Sequence, residues 1–187
     1  MSDRIPLPRP GLGADKARMD EILRVDHAGE YAAVLIYRAQ RAVFEAKKGR
    51  EAITRDLAEM QDQEAVHLAR FERLLNERKV RPTAMTPVWR LAASALGAGT
   101  ALIGEKAAHA CTEAVESVIE QHYADQIAEI GERDPALAAE LKQFREEELA
   151  HHDHAIEHGS REAPAYRLLS GVIKAGCKAA IKISEKV

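Results

Sequence analysis

Aromatic residues are scarce in this 187-residue chain, at 4% of positions. Strands favour aromatic and β-branched residues, whereas alanine, the best helix former, occurs 34 times. No stretch shows the strict alternation of a half-buried strand. An all-α protein is therefore expected. Cysteine is limited to Cys111 and Cys177, neither in a CxxC, which excludes a disulfide framework and suits a reducing compartment. Both read as small buried hydrophobes. An excess of one charge is also missing: 27 basic against 30 acidic residues leave a net charge of −3. That balance offers no general attraction to nucleic acid, and no such partner is expected. The longest uncharged run, Leu91 to Gly104, is too short to span a bilayer, which takes about 20 residues. Met1 to Asp20 lacks the apolar core of a secretory signal and is too acidic and too short in Arg and Ser for a clear organelle transit peptide. What the chain does have is 46% hydrophobic and 30% charged residues, which suits one globular domain with its own core and argues against disorder.

Proline supplies the punctuation. Pro6, Pro8 and Pro10 mark an extended N-terminal arm over residues 1–14, Pro82 and Pro87 bracket a loop, and Pro135 and Pro164 fall near two further breaks. The stretches between predict six helices: about Asp15–Lys48, Glu51–Lys79, Pro87–Lys106, Ala107–Ile130, Pro135–His158 and Ala163–Glu185. Asp134-Pro135 is a capping residue followed by a first-turn proline. Four of the helices are long. They predict a four-helix bundle with the apolar third helix as a long crossover, the ferritin-like arrangement, and an added amphipathic helix at the C-terminus. Residues 15–187 read as one domain.

Two E-x-x-H motifs occur, Glu64-Ala65-Val66-His67 and Glu148-Leu149-Ala150-His151. Positions i and i+3 share a helix face, so a carboxylate and an imidazole placed there can grip one ion. Chance alone gives about one such match in this composition, and two solvated helix faces would look the same. The rest of the pattern adds weight. Glu30 precedes Glu64 by 34 residues and Glu116 precedes Glu148 by 32, each on the preceding helix. Each half thus repeats a lone Glu, a helix reversal and an E-x-x-H. Di-iron carboxylate bundles use this set: one Glu from each of two helices and Glu-x-x-His from each of the other two. Four carboxylates and two imidazoles suit Fe(II) or Mn(II), and four glutamates facing one core would be costly without a cation. Glu30 and Glu116 also have apolar neighbours, Ala32-Ala33-Val34 and Val115 with Val118-Ile119.

Several longer motifs resemble the demethoxyubiquinone hydroxylase family. They are Arg24-Val25-Asp26-His27-Ala28-Gly29-Glu30-Tyr31, Leu96 to Leu102, Ala110-Cys111-Thr112, Ala114-Val115-Glu116, His122-Tyr123, Glu147 to Asp153, Ala163-Pro164-Ala165-Tyr166 and Ala175-Gly176-Cys177. The resemblance covers about residues 20–187. It implies a ferritin-like monooxygenase of ubiquinone biosynthesis with two Fe2+ ions. The enzyme would use O2 to hydroxylate the ring of a polyprenylated demethoxybenzoquinol. The implied ligands are Glu30, Glu64, His67, Glu116, Glu148 and His151, the six found from spacing. The sequence departs from the family's pattern at Ala32, at Ser117 and in a short loop around Asp134, and none of these removes a ligand. The resemblance also implies NADH or the quinol itself as external reductant. No G-x-G-x-x-G after a strand is present to build a dinucleotide fold. Peripheral association with the cytoplasmic side of a bacterial inner membrane is expected, with an accessory lipid-binding protein and a homo-oligomer as further partners to test.

Around the six, Tyr123 lies two turns after Glu116. By spacing it serves equally as a hydrogen-bond partner of the site, an electron relay or a packing tyrosine. Asp26, His122 and His152 are candidates to orient ligand histidines, Asp26 being one turn before Glu30. His27 and His154 read as surface or interhelical histidines. Membrane contact falls to two segments. Leu91 to Gly104 serves either as an interfacial helix or as a crossover packed through Gly97, Ala98 and Gly99. The last helix sets Lys174, Lys178 and Lys182 opposite Leu168, Leu169, Val172 and Ile173, a pattern that favours anionic lipid. The rival readings are a ferritin-like ferroxidase or iron store, which needs a closed symmetric cage, and a metal-free helical interaction module.

Overall fold

A computed structural model describes residues 12–187. The described residues form six α-helices and no strand: α1 Leu12–Glu45, α2 Glu51–Arg78, α3 Thr86–Ile103, α4 Glu105–Ile130, α5 Pro135–Glu157 and α6 Tyr166–Ser184, with one 3-10 turn at Ser160–Glu162. Of the expected arm, residues 1–11 lie outside the described residues, and Leu12–Ala14 belong to α1. Helices α1 and α2 pair as one hairpin and α4 and α5 as another. Helix α3 carries the chain between them and packs along α1, while α6 packs chiefly on α4. No helix among the described residues is long and apolar enough to cross a membrane.

The helix ends have local causes. At the start of α5 the Asp134 side chain accepts a hydrogen bond from the Leu137 N–H at 3.0 Å, with Pro135 at the first position, as expected from a cap followed by proline. Lys79 ends α2 in the left-handed conformation (φ 55°), and the Val80 N–H returns to the Leu75 carbonyl at 2.8 Å. The break between α3 and α4 differs from the expected one near Lys106. It falls on Gly104, whose φ of 147° and ψ of 176° suit only glycine, so α4 begins at Glu105. Helix α6 begins at Tyr166 rather than Ala163, because the 3-10 turn and a left-handed Ala165 (φ 50°) come first. Glu113 of α4 holds this turn. It accepts hydrogen bonds from Ser160, from the Tyr166 hydroxyl at 2.7 Å and from Arg161 at 3.3 Å. Burial pushes the Glu113 carboxyl up, but these donors outweigh it and hold the group below its ordinary value.

Two clusters of buried apolar residues are the largest of those in the bundle. One joins Leu23, Phe71, Leu74, Tyr123, Ile130 and Leu141. The other joins Tyr37, Phe44, Ile53, Leu57 and Met60. Helix α3 lies close to α1 because Gly97 has no side chain: a Cβ there would sit 2.4 Å from the Ile36 carbonyl oxygen. Gly99, two residues on, faces open space. Of the small residues expected to seat this helix, Gly97 does so and Gly99 does not.

Candidate metal centre

Glu30 of α1, Glu64 and His67 of α2, Glu116 of α4, and Glu148 and His151 of α5 converge in the core, all of them buried. They form two overlapping groups, each compact enough for one ion: Glu30, Glu64, His67 and Glu148, and Glu64, Glu116, Glu148 and His151. The i, i+3 spacing works as expected, since each histidine lies within 3.6 Å of the glutamate of its own motif. The hairpins then cross-connect the motifs. His67 Nδ1 lies 3.3 Å from Glu148 Oε1 and 3.5 Å from Glu30 Oε2, and His151 Nδ1 lies 3.2 Å from Glu64 Oε1.

Glu64 and Glu148 belong to both groups and divide their oxygens between them. Glu64 turns Oε2 to His67 and Oε1 to His151, whereas Glu148 turns Oε1 to His67 and Oε2 to His151. Each is oriented as a bridge between two positions. Both oxygens of each, Glu30 Oε2, Glu116 Oε2 and the Nδ1 atoms of both histidines are sealed from solvent without a hydrogen-bond partner. Buried polar groups are normally paired. Eight orphaned atoms aimed at one spot, four carboxylates among their owners, fit a pair of divalent cations.

The electrostatics agree. Burial, helped by neighbouring carboxylates, pushes the Glu64 and Glu116 carboxyls up. Burial alone would lower the histidines, but Glu148 and Glu64 overcome it and raise His151 to about 9. His67 is raised as well, against burial, by Glu148, Glu30 and Glu64. Protons thus serve as counter-charges in this cluster, and a bound cation would displace them.

The outward nitrogens have partners that the sequence reading did not single out. His67 Nε2 is 2.6 Å from Glu147 Oε2, and His151 Nε2 is 2.5 Å from Gln63 Oε1. These acceptors fix the N–H on Nε2 and leave Nδ1 facing the centre, as outer partners of ligand histidines do. Glu147 and Gln63 each stand one residue before a motif glutamate, a position that carries no recognisable signal. Tyr37, also missed, donates to Glu116 Oε1 at 2.5 Å. Tyr123 donates to Glu30 Oε1 and lies parallel to Phe71 with ring centroids 6.5 Å apart, so it is both a partner of the site and a packing residue. The three residues expected to orient histidines do not. Asp26 accepts from Gln126 at 2.7 Å, His122 lies 2.9 Å from the same amide, and His152 bonds Asp153 on the surface at 3.0 Å.

Beside the centre lies a cavity of about 390 Å3, bounded by α1, α3, α4 and α6. Its wall is almost wholly apolar, including Ile36, Leu96, Val115 and Ile173, and the polar exceptions include Asp26, Glu30, His122, Tyr123 and Ser184. Glu30 belongs to both the cavity wall and the cluster, so the cavity adjoins the centre. Asp26 Oδ2 is buried without a partner, and burial pushes its carboxyl well up.

A helical bundle with paired Glu-x-x-His motifs and shared carboxylates has the donor set that carboxylate-bridged di-metal bundles use, here beside an apolar cavity. The chain itself belongs to the family described as "Ubiquinone biosynthesis protein COQ7", whose model matches residues 17–184. It is 48% identical over 178 residues to a 3-demethoxyubiquinol 3-hydroxylase of Rhodospirillum rubrum, covering 95% of this chain and 82% of the relative. It is 49% identical to the NADPH-dependent 3-demethoxyubiquinone 3-hydroxylase of Mus musculus, a mitochondrial protein, covering 92% of this chain and 79% of that one. The 5-demethoxyubiquinone hydroxylase of Saccharomyces cerevisiae, also mitochondrial, is 39% identical over 93% of this chain and 80% of its own length. The chain is thus an oxidoreductase, a hydroxylase of ubiquinone biosynthesis.

Proposed function

We propose that the chain hydroxylates the ring of a polyprenylated demethoxybenzoquinol with O2, at two Fe2+ ions held by Glu30, Glu64, His67, Glu116, Glu148 and His151. The observation that carries this reading is the pair of interlocked groups sharing Glu64 and Glu148, with Glu30 belonging both to the cluster and to the wall of an apolar cavity. Two irons there would supply the redox chemistry that activates O2 for insertion into an aromatic ring. The chain's own residues do the rest. Tyr123 and Tyr37 each tie up one oxygen of Glu30 and Glu116, so that each presents the other inward. Glu147 and Gln63 hold the imidazoles with Nδ1 inward. The cavity is of a size and polarity to admit the ring, and His122 and Tyr123 are among the few polar side chains of its wall. Its volume lies within the usual range for small-molecule sites, about 300–1,000 Å3.

The isoprenoid tail needs an apolar exit, and the surface beside the cavity supplies one. Leu91, Leu102 and Ile103 of α3 and Leu168 and Val172 of α6 are exposed, while Lys178 and Lys182 stand on the same α6. Basic and apolar residues together favour docking on an anionic membrane. This supports peripheral binding at the cytoplasmic side of a bacterial inner membrane. The reductant is external. The mammalian relatives are named NADPH-dependent, and a reduced nicotinamide, NADPH or the expected NADH, is the electron source proposed here. An iron store is the weaker reading, because it has no use for an apolar cavity at the centre.

Metal analysis combined with quinone mass spectrometry tests the proposal. Wild type should hold two irons per chain and convert demethoxyquinone when expressed in a strain lacking its own hydroxylase. Glu148→Ala should lose iron and leave demethoxyquinone to accumulate while helicity survives. A Glu148→Ala protein that keeps two irons and normal turnover refutes the site.

A further inference from the structure

A second group of metal-type side chains lies away from the centre. Asp56 of α2 sits two turns before Glu64, roughly 12 Å along the helix. It meets His154 in the last turn of α5 and His158, the residue that caps that helix. One ligand atom from each of the three falls within 4.8 Å of the others. Asp56 Oδ2 is 3.6 Å from His154 Nε2, too far for a hydrogen bond, and that nitrogen is buried with no partner at all. The rings of His154 and His158 stack at 4.0 Å between centroids, and His109 of α4 lies over both, at 5.9 and 5.3 Å. His158 Nδ1 lies 2.8 Å from the His154 carbonyl oxygen. That contact fixes the N–H on Nδ1 and frees Nε2, the arrangement by which metal-binding histidines are held.

We propose that Asp56, His154 and His158 form a second, mononuclear site for a divalent transition metal, with zinc the best match to two imidazoles and one carboxylate. Imidazole with a single carboxylate suits zinc, and three protein ligands leave a fourth position for water. His158 is exposed and the other two are half-buried, so that position opens to solvent. His109 serves as the inner wall. The site joins α2 to α5, the two helices that carry the E-x-x-H motifs, and an ion there clamps them together.

Zinc counting tests it on the full-length protein, stripped with chelator and dialysed against Zn2+. Wild type should hold one zinc per chain more than His158→Gln and one more than His154→Ala, with folding checked by circular dichroism. Glu148→Ala, which breaks the main centre, should lose zinc there but keep this ion, so its zinc content should fall further when His158→Gln is added. At a hundredfold excess over its dissociation constant, zinc should raise the Tm of wild type by about 5–10 °C more than that of His158→Gln. Equal zinc contents in wild type and both histidine variants overturn the proposal, and so does an equal Tm rise.

Discussion

Replacing Gly97 and Gly99 by alanine, one at a time, separates packing from helix propensity within a single helix. Both glycines lie inside α3, where alanine is favoured by about 1 kcal/mol. At Gly99 an added Cβ meets nothing within 4 Å, so Gly99→Ala should stabilise the protein by up to that amount. At Gly97 the same atom falls 2.4 Å from the Ile36 carbonyl oxygen, 3.0 Å from Ile36 Cα and 3.1 Å from Ala39 Cβ. Two of these are backbone atoms of α1 and cannot swing aside, so α3 must back away along its contact with α1. Overpacking of this kind costs about 1–3 kcal/mol and outweighs the propensity gain. Gly97→Ala should therefore be less stable than Gly99→Ala by about 1–3 kcal/mol, or about 2–12 °C in Tm for a chain of this size. Urea and thermal unfolding followed by circular dichroism measure the difference. Leu96 and Ala93 of α3 line the cavity, so the displaced helix should also raise KM for the quinol in Gly97→Ala and leave Gly99→Ala unchanged. Equal stability of the two variants would refute the close approach of α3 to α1 and the account of cavity shape built on it.

Three further tests follow from the structure. Gln63→Leu and Glu147→Leu remove the acceptors that hold His151 and His67, and each should weaken iron binding about 10–100-fold without unfolding the chain. Metal competition titrations read this directly, and unchanged affinity in both would rule out those residues as orienters. Asp134→Ala should cost about 1 kcal/mol at neutral pH as a lost helix cap. Burial alone would push the Asp134 carboxyl up, but the Leu137 N–H and Arg78 hold it below 3.8, so its contribution is complete above that value and fades as pH falls through the folded pKa. Acid unfolding curves of wild type and variant should therefore converge at the lowest pH, and a constant gap would contradict this. Lys178→Glu with Lys182→Glu should abolish binding to anionic vesicles at low salt while leaving neutral vesicles unaffected, as co-sedimentation would record.

The helical class and the six converging residues were legible in the sequence for a local reason. Helix spacing and the i, i+3 relation are set within one turn of chain, and the lone Glu residues could be matched to the motifs because each half repeats the other. The family resemblance rests on runs around some of these residues and on others well away from them, such as Leu96 to Leu102 and Ala163-Pro164-Ala165-Tyr166. The α3–α4 boundary was misplaced because Gly104 sits in a run of good helix formers, and only its positive φ separates the helices. Asp26, His122 and His152 lay at plausible spacings from the motifs, but spacing says nothing of where a side chain ends. Asp26 and His122 turn to Gln126 and the cavity wall instead.

By itself, then, the sequence determined the helices, the paired motifs and the set of residues able to share metal ions, because each of these depends on neighbours in the chain. Only the tertiary structure decided what lies between helices. The partners of the two histidines are 80 and 88 residues distant, and those of Tyr37 and Tyr123 are 79 and 93. The cavity takes its wall from four helices. The group of Asp56, His109, His154 and His158 draws on three. Contacts at such separations leave no period in the chain. They are set by how two hairpins and a crossover pack around a common core.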